Sequence, residues 1–375
     1  METYLWLILF PIVWPFIAKR IWPRQINWTE MFLSIIGVCV IISVIWFADT
    51  YSTTADTEIW NGQIVSKSRD HGHYLRSYEC NCSTDSKGNR RCSTCYKDRY
   101  TVNWSAVSTV GDITFDHLDS GSSSVYLTPD PYAYTKCYVG EPASLEHHYV
   151  NYIRAVPESL FHGVLSKEFT NLIPSYPRVH DYYHVDRVIN VGSKVPSAFI
   201  GDLDNRLDMM LRNVGPSKEV NIIVVFVNSS DPNYRYSLEQ SWVGGKKNDV
   251  VIIFGVVDDK TISWVDVMTW AKNFNNELFH VMIRDSLKDV KTFDSEKISA
   301  IITKNVVEKY SRPSMKSFEY LKDSIQPPEW IIILCVILSF GGSLVTSWFF
   351  YVNEIDDFVG EICNDIFFKV KNLFR

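Results

Sequence analysis

Four cysteines in the first half of the chain have a spacing that permits either metal binding or disulfide formation. Cys80 and Cys82 are separated by one residue, Cys92 and Cys95 by two, and nine residues lie between the pairs. The spacer contains the sequence Lys-Gly-Asn at 87–89, which is typical of a turn, so the pairs are expected to face each other across a β-hairpin. Four thiolates there suit a structural zinc ion, and four thiols can equally form two disulfides with three possible connectivities.

A group of aspartates flanks the apolar segment 250–257 in the second half of the chain. Acidic residues at the ends of buried strands offer carboxylate oxygens to a hard divalent cation. The candidate ligands are Asp249, Asp258 and Asp259 at the ends of this segment, with Asp202 or Asp204 from the predicted helix that begins near residue 202. The alternative interpretation is a solvated rim with a turn that favours Asp, so the sequence leaves a cation site and a plain polar surface open.

Two histidine pairs are weaker candidates for metal ligands. His71 and His73 lie in a polar segment before the cysteines, and His180 and His184 have the i, i+4 spacing that would let them share a metal on a helix. No HExxH glutamate accompanies the second pair, and two nearby prolines disfavour a helix that begins much earlier. The sequence contains no recognisable nucleophile–base pair or oxyanion loop, so no catalytic residue is assigned.

The segments that place these residues relative to a membrane lie at both ends of the chain. Residues 4–18, 31–48 and 330–352 are apolar and uncharged, as expected of membrane-spanning helices. The first segment is short and contains Pro11 and Pro15, which leaves a tight span, a re-entrant segment and an uncleaved signal anchor open. The alternative for all three, buried core helices of a soluble protein, is disfavoured because 23 uncharged residues at 330–352 are long for a core helix.

Basic residues indicate which side of the membrane each segment faces. Lys19, Arg20 and Arg24 lie between the first two apolar segments, and the positive-inside rule places this loop in the cytoplasm. Residues 49–329 are then expected outside a plasma or inner membrane, in a periplasmic or extracellular space, and the tail inside. The tail, 353–375, has apolar residues at helical spacing, which predicts an amphipathic helix on the inner leaflet or against a partner. An oxidising exterior favours disulfides over zinc.

The chain between the apolar segments predicts two soluble modules, and the fold class is an α+β membrane protein. Short segments rich in Val, Tyr, Trp and Thr, the last at 123–128, predict strands in the first module. Alternating helical and buried-strand patterns predict an α/β sandwich in the second, with one helix stopped at Gly215-Pro216. Cys137, left over from the cysteine cluster, is either buried and inert or paired with another copy.

The predicted divisions follow from these patterns. They are 1–48 for an N-terminal transmembrane hairpin with its basic loop, 49–165 for the β-rich module with the cysteines, 166–200 for an irregular connector, 201–312 for the α/β sandwich, 313–329 for a juxtamembrane helix, 330–352 for the last transmembrane helix and 353–375 for the cytoplasmic tail.

One group of residues in the second module matches the pattern of a known family. It consists of Trp242, Gly244, Gly245, Lys246, Asn248, Asp249, the strand 250–257 and the turn Asp258-Asp259-Lys260. On these residues, the segment 200–312 resembles the TPM domain family. The resemblance implies a domain outside a membrane beside a transmembrane helix. Some members look like phosphatases, some bind a divalent cation near the acidic loop, and some are membrane-tethered accessory proteins. Val250 and Lys260 stand where the family has Gly and Arg, and no Gly-x-Gly-Leu-Glu segment follows the third strand.

The sequence as a whole favours a membrane-anchored exoplasmic interaction or scaffold protein, an accessory of a membrane complex, over an enzyme. The alternative is a divalent-cation-dependent, phosphatase-like hydrolase that uses the acidic rim. Uncharged apolar segments disfavour a conduction path in one copy, while Gly341-Gly342 leaves a homo-oligomer through the transmembrane helices open. The expected partners are the lipid bilayer and a membrane or exoplasmic protein. A net charge of −6 without a strongly basic region excludes nucleic acid.

Overall fold

The computed structural model describes residues 2–84, 86, 88, 90–156, 167–242, 246–257, 261–270 and 274–353. The chain divides into two compact units. The first unit is Met1–Ala55, Arg154–Val156 and Phe318–Arg375, and the second is Asp56–Ile153 and Pro157–Ser317.

The described residues form α-helices and β-strands in a mixed order along the chain. The helices are α1 (Glu2–Ile21), α2 (Trp28–Thr54), α3 (Tyr132–Lys136), α4 (Tyr152–Ala155), α5 (Ser197–Lys218), α6 (Tyr234–Ser241), α7 (Phe274–Leu287), α8 (Ser295–Lys309) and α9 (Glu329–Val352). The strands are β1 (Ala55–Thr84), β2 (Arg90–Ser108), β3 (Gly111–Ser120), β4 (Pro142–Val150), β5 (Val188–Val191), β6 (Asn221–Val227), β7 (Asp249–Gly255) and β8 (Trp264–Met268). The α+β class is therefore confirmed.

The three predicted apolar segments are helices long and apolar enough to cross a membrane, namely α1, α2 and α9. Hydrogen bonds from buried hydroxyl side chains connect these helices. The Ser339 hydroxyl donates to the Leu7 carbonyl at 2.7 Å, and Ser34 shares a 2.7 Å hydrogen bond with Thr346. Apolar side chains gain little by leaving lipid for one another, so small and hydroxyl side chains are the ones that favour helix contact inside a bilayer.

Replacing Gly342 by Leu is expected to destabilise this three-helix unit, because a Cβ there would already lie 3.6 Å from both methyl carbons of Val38. The larger side chain would overpack the contact at a cost of about 1–3 kcal/mol. The neighbouring Gly341 has no described atom within 4 Å of its would-be Cβ, so Gly341→Leu serves as the matched control. The folded fraction in an SDS titration of the full chain measures both. An equal loss in Gly341→Leu would contradict this packing and point to a second copy at that position.

The second unit contains two four-stranded sheets, ordered β3-β2-β1-β4 and β5-β6-β7-β8. In the second sheet β5, β6 and β7 are parallel, and β8 is antiparallel to β7. Every residue of β6 and β7 is buried, as expected of strands covered on both faces. Side chains of α5, α7 and α8 pack into the same core as these strands, so the predicted buried strands and helices share one hydrophobic core.

Several local predictions differ from the structure. Helix α5 runs through Gly215-Pro216 to Lys218 and ends at Glu219, whose φ of 49° is left-handed. Gly215 is needed for close approach, since a Cβ there would lie 2.3 Å from the Asn61 carbonyl oxygen of β1. The predicted strand at 123–128 is a 3₁₀ helix, Ser123–Leu127, in which Ser122 accepts a hydrogen bond from the Ser124 N–H. The predicted connector contains β5, and the tail beyond Asn353 lies outside the described residues.

Strands β1 and β2 extend well beyond the other strands of their sheet. The outermost β2–β3 pairing is Tyr100 with Ser120, whereas β1 and β2 continue to pair from Tyr74–Arg99 out to Thr84–Arg90. We call residues 74–84 and 90–99 the ribbon arm. A two-stranded ribbon is marginally stable in water, so an arm of this length needs additional covalent or packing support.

Two disulfides supply that support and confirm the disulfide prediction. Cys80 is bonded to Cys95, and Cys82 to Cys92. Between Cys80 and Ser83 the register of β1 shifts by one residue, and Asn81 adopts a φ of 49°, a conformation that Asn tolerates better than most residues. All four sulfurs are consumed, so a zinc ion could be held only by a reduced form.

Candidate functional site

Asp249, the first residue of β7, is completely buried, unlike the other predicted cation ligands that the structure describes, Asp202 and Asp204. Its carboxylate accepts hydrogen bonds from the Tyr176 hydroxyl, at 2.9 and 3.1 Å, and from Asn221 Nδ2 at 2.9 Å. Burial raises the pKa of Asp249 to about 7, although the two hydrogen bonds and the nearby Lys246 ammonium oppose the rise. The carboxyl group therefore changes its protonation state much closer to neutral pH than an exposed aspartate does.

Asp249→Asn is expected to become increasingly stabilising relative to the native residue as pH rises. Between the unfolded pKa of about 4 and the folded pKa of about 7, the folded chain holds a proton that the unfolded chain has lost. Stability from Asp249 is thus fully present at low pH and is lost as pH rises through the folded value. The stability difference in favour of the variant should grow by about 2 kcal/mol between about pH 5 and pH 8, measured by thermal melting of the full chain in detergent micelles.

Asp202→Asn is the matched control for this prediction. Asp202 lies on the surface of α5, and its hydrogen bonds with Ser295 and Arg206 lower its pKa. Its contribution is therefore present at neutral pH and lost on acidification, which is the opposite direction. A stability difference for Asp249→Asn that stays constant with pH would show that the buried carboxylate is ionised throughout the range, contrary to this account.

The predicted acidic residues that the structure describes, Asp202, Asp204 and Asp249, do not form a common cluster of metal ligands. Asp204 accepts the backbone N–H groups of Arg187 and Val188, at 2.7 and 3.0 Å, and so caps the start of β5. Burial and the neighbouring Asp208 raise the pKa of Asp204 to about 6. Asp258 and Asp259 lie outside the described residues and follow the opposite end of the strand that Asp249 begins.

A buried arginine, which no motif in the sequence indicated, links Asp208 to Asp249 through Asn221. Arg187 is 1% exposed. Its Nε donates to Asp208 at 2.6 Å, its Nη1 to Asn221 at 2.5 Å, and its Nη2 to both Asn61 and Ser144 at 2.6 Å. Because Asn221 also donates to Asp249, one hydrogen-bonded network runs from the α5 surface to the buried carboxylate. This network joins side chains of both sheets.

Two further ion-pair groups hold the beginning of β1 against the sandwich. Lys246 pairs with Asp56, which also accepts from Asn151 Nδ2 at 2.8 Å. Arg312 pairs with both Glu58 and Glu219, and the Glu58 carboxylate accepts from Trp60 Nε1 at 2.8 Å. These ion pairs tie the beginning of β1 to the sandwich, well before the ribbon arm starts at Tyr74.

A surface groove of about 620 Å³ lies beside Tyr176. Its lining residues are Pro174, Ser175, Tyr176, Pro177, Arg178, His180, Asp186, Val188 and Ile189. His180 and His184 are not on a helix, because each donates its backbone N–H to the carbonyl of the other across a tight turn. His180 instead faces the carboxylates of Asp181 and Asp186.

The remaining cysteine of this unit is buried in the core of the first sheet. Cys137 is 2% exposed and packs among Val102, Trp104 and Tyr183 in that core. Burial raises the pKa of its thiol, which lowers the fraction of reactive thiolate. Of the two interpretations of Cys137, the structure supports the buried, inert one.

The ribbon arm carries four exposed large side chains on regular backbone. Tyr74, Leu75, Tyr78 and Tyr96 are 43%, 60%, 46% and 66% exposed. Such side chains, held on a covalently braced ribbon, favour recognition of another molecule over chemistry. The sequence feature that could have indicated this surface is the clustering of aromatic and basic residues on both sides of the cysteines.

Comparisons of the chain with protein-family models, with curated proteins and with solved structures found no match. The TPM resemblance therefore stays a prediction, and the site geometry alone carries the functional argument.

Proposed function

We propose that this chain is a membrane-anchored interaction or accessory protein that binds a partner protein through its ribbon arm. The carrying observation is the arm itself: two strands that leave their sheet, are braced by two disulfides and expose four large side chains. Three helices that are long and apolar enough to cross a membrane supply the anchor.

The orientation in the membrane belongs to the same proposal. The basic loop between α1 and α2 lies in the cytoplasm, as the positive-inside rule requires, and the second unit lies outside a plasma or inner membrane. Disulfides persist in oxidising exterior compartments, so the bonded state of Cys80, Cys82, Cys92 and Cys95 supports this orientation. From the cytoplasmic loop, α2 leads the chain out through the membrane and α9 leads it back. The tail 353–375 is therefore cytoplasmic in this proposal.

The buried state of Asp249 favours binding over hydrolysis. A metal-dependent hydrolase needs carboxylates that share an open coordination site, and Asp249 is fully buried under the Tyr176 hydroxyl. Among the described residues, the only group of three potential ligands close enough to hold a metal is Glu79, Cys82 and Cys92, and those two sulfurs are bonded to each other. In this proposal the TPM-like sandwich supports the first sheet, from which the arm extends, through the side-chain network around Arg187.

Site-specific photocrosslinking in native membranes tests the proposal. A benzophenone amino acid at Leu75 or Tyr96, on the arm, is expected to give protein adducts of one defined mass. The control is Val281, which is 45% exposed on α7 and should give no such adduct. Adducts from Val281 equal to those from the arm, or none from either arm position, would contradict the proposal.

A further inference from the structure

Strand alternation separates the charges of the ribbon arm onto its two faces. Directly paired residues of an antiparallel ribbon share a face, and neighbours along a strand alternate. The register Tyr74–Arg99, Arg76–Lys97 and Tyr78–Cys95 therefore places three basic residues on one face. Arg91 has the same strand parity as Lys97 and joins them. We call these residues, with Tyr74 and Tyr78, the cationic face.

The cationic face has no acidic residue of its own on the arm. The acidic residues of the described arm, Glu79 and Asp98, have the other parity and lie on the opposite face together with Arg90. In the sequence, residues 74–99 contain six basic and three acidic side chains, although the whole chain has a net charge of −6. The arm is thus a positively charged projection from an acidic protein.

Three of the four cations on this face form no ion pair with a described residue. Arg99 is neutralised at the base of the arm, where its Nε donates to Asp119 at 2.7 Å. Arg76, Arg91 and Lys97 are exposed, and Lys97 lies 5.5 Å from the centre of the Tyr78 ring. Among the described residues, the cationic face therefore offers charges without an ion-pair partner beside an aromatic ring, on a backbone that the disulfide Cys80–Cys95 braces.

We infer that the cationic face docks against an acidic surface segment of the partner protein. This inference rests on the proposed function and adds the chemistry of the partner. Complementary charge selects a negative surface and speeds encounter, and Tyr and Arg are both enriched among the residues that contribute most to binding at protein interfaces.

Exposed apolar groups on both faces of the arm favour a protein over a lipid surface or a charged polysaccharide. Leu75 and Tyr96 lie on the face opposite Tyr74 and Tyr78. A planar bilayer can contact one side of a ribbon and leaves the other in water. A polyanionic chain uses the cations and has no need of the tyrosines. A partner protein can contact both faces, with its acidic side chains toward Arg76 and Lys97.

Binding of a fluorescein-labelled oligoglutamate peptide to the full chain in neutral detergent tests this inference. The double variant Arg76→Gln, Lys97→Gln is expected to bind the peptide about fivefold to tenfold more weakly, because two exposed charge contacts are lost. The control is Lys136→Gln, Lys288→Gln, two exposed lysines elsewhere in the same unit, which changes the net charge equally and should keep native affinity. Heparin and vesicles containing phosphatidylglycerol are measured in parallel.

Each outcome decides the inference separately from the proposed function. Weaker peptide binding in the arm variant alone supports it. Equal weakening in the control, absence of peptide binding, or binding of heparin or vesicles without the peptide overturns it. If the crosslinks from Leu75 and Tyr96 persist in any of those cases, the arm still binds a partner protein, and only the acidic character of that partner is rejected.

Discussion

Arg187→Ala is expected to destabilise the second unit by about 3–5 kcal/mol, the largest single effect that this structure predicts. The guanidinium is 1% exposed and donates to Asp208, Asn61, Ser144 and Asn221. Its removal leaves buried oxygen atoms without hydrogen-bond donors. Each such atom lowers the free energy of unfolding, because in the unfolded chain water supplies the missing hydrogen bond. The midpoint of urea unfolding of the full chain in micelles, followed by tryptophan fluorescence, measures the loss.

Two further variants separate the network from simple loss of charge. Arg187→Lys keeps the charge but cannot reproduce the planar set of donors, so most of the destabilisation should remain. Arg206→Ala removes an exposed i, i+4 pair with Asp202 and should cost less than about 1 kcal/mol. A stability of Arg187→Ala close to that of Arg206→Ala would contradict the role assigned to this network.

Loss of both disulfides is expected to release the ribbon arm without unfolding the sandwich. The variant replaces all four cysteines of the arm by Ser. The Cys80–Cys95 disulfide closes a loop with a sequence separation of 15, and closing a loop of that size stabilises by about 3 kcal/mol. Amide hydrogen exchange at residues 75–80 and 93–97 should therefore accelerate on the order of a hundredfold.

The sandwich provides the internal control for the disulfide variant. Strands β6 and β7 are buried along their whole length and share no partner with the outer arm, so their exchange rates should stay at the native level. Unchanged exchange in the arm would show that strand pairing alone holds it. Faster exchange throughout β6 and β7 would show that the disulfides support the entire unit, and either result contradicts this account.

Local hydrophobicity explains which parts of this fold could be predicted from the sequence. The apolar segments that form α1, α2 and α9 and the β-branched segments that form β6 and β7 carry their signal within a few consecutive residues. Hydrophobic transfer and strand burial depend on that local composition. For the same reason the helices at 274–287 and 295–309 were predictable from their spacing alone.

The candidate site was less predictable because its contacts join distant parts of the chain. Arg187 meets Asn61 across 126 positions and Asn221 across 34, and no spacing rule in the sequence relates those residues. Gly215 is required because a side chain there would collide with the backbone of Asn61. The prediction that Gly215 ends the helix was therefore wrong. The acidic residues were grouped by their nearness to one strand, whereas Asp249 and the segment 258–259 belong to opposite ends of it.

The pairing of the four arm cysteines could be narrowed by their spacing but not determined by it. The spacing left zinc binding and three disulfide connectivities open. The hairpin register places Cys95 beside Cys80, and the one-residue shift at Asn81 brings Cys82 opposite Cys92. The connectivity is thus nested because register and bulge together set which sulfurs meet.

Deletion of the ribbon arm tests the central claim most directly. Residues 76–97 are replaced by Asn-Gly, which suits a two-residue turn, so that Leu75 and Asp98 remain paired as in the native register. The native protein and the deletion variant are each solubilised from native membranes, and the mass of the complex that each forms is measured by native electrophoresis. We predict a native complex heavier than the chain itself and a deletion variant that migrates without its partner. A partner retained by a folded deletion variant would contradict the claim that the arm is the binding element.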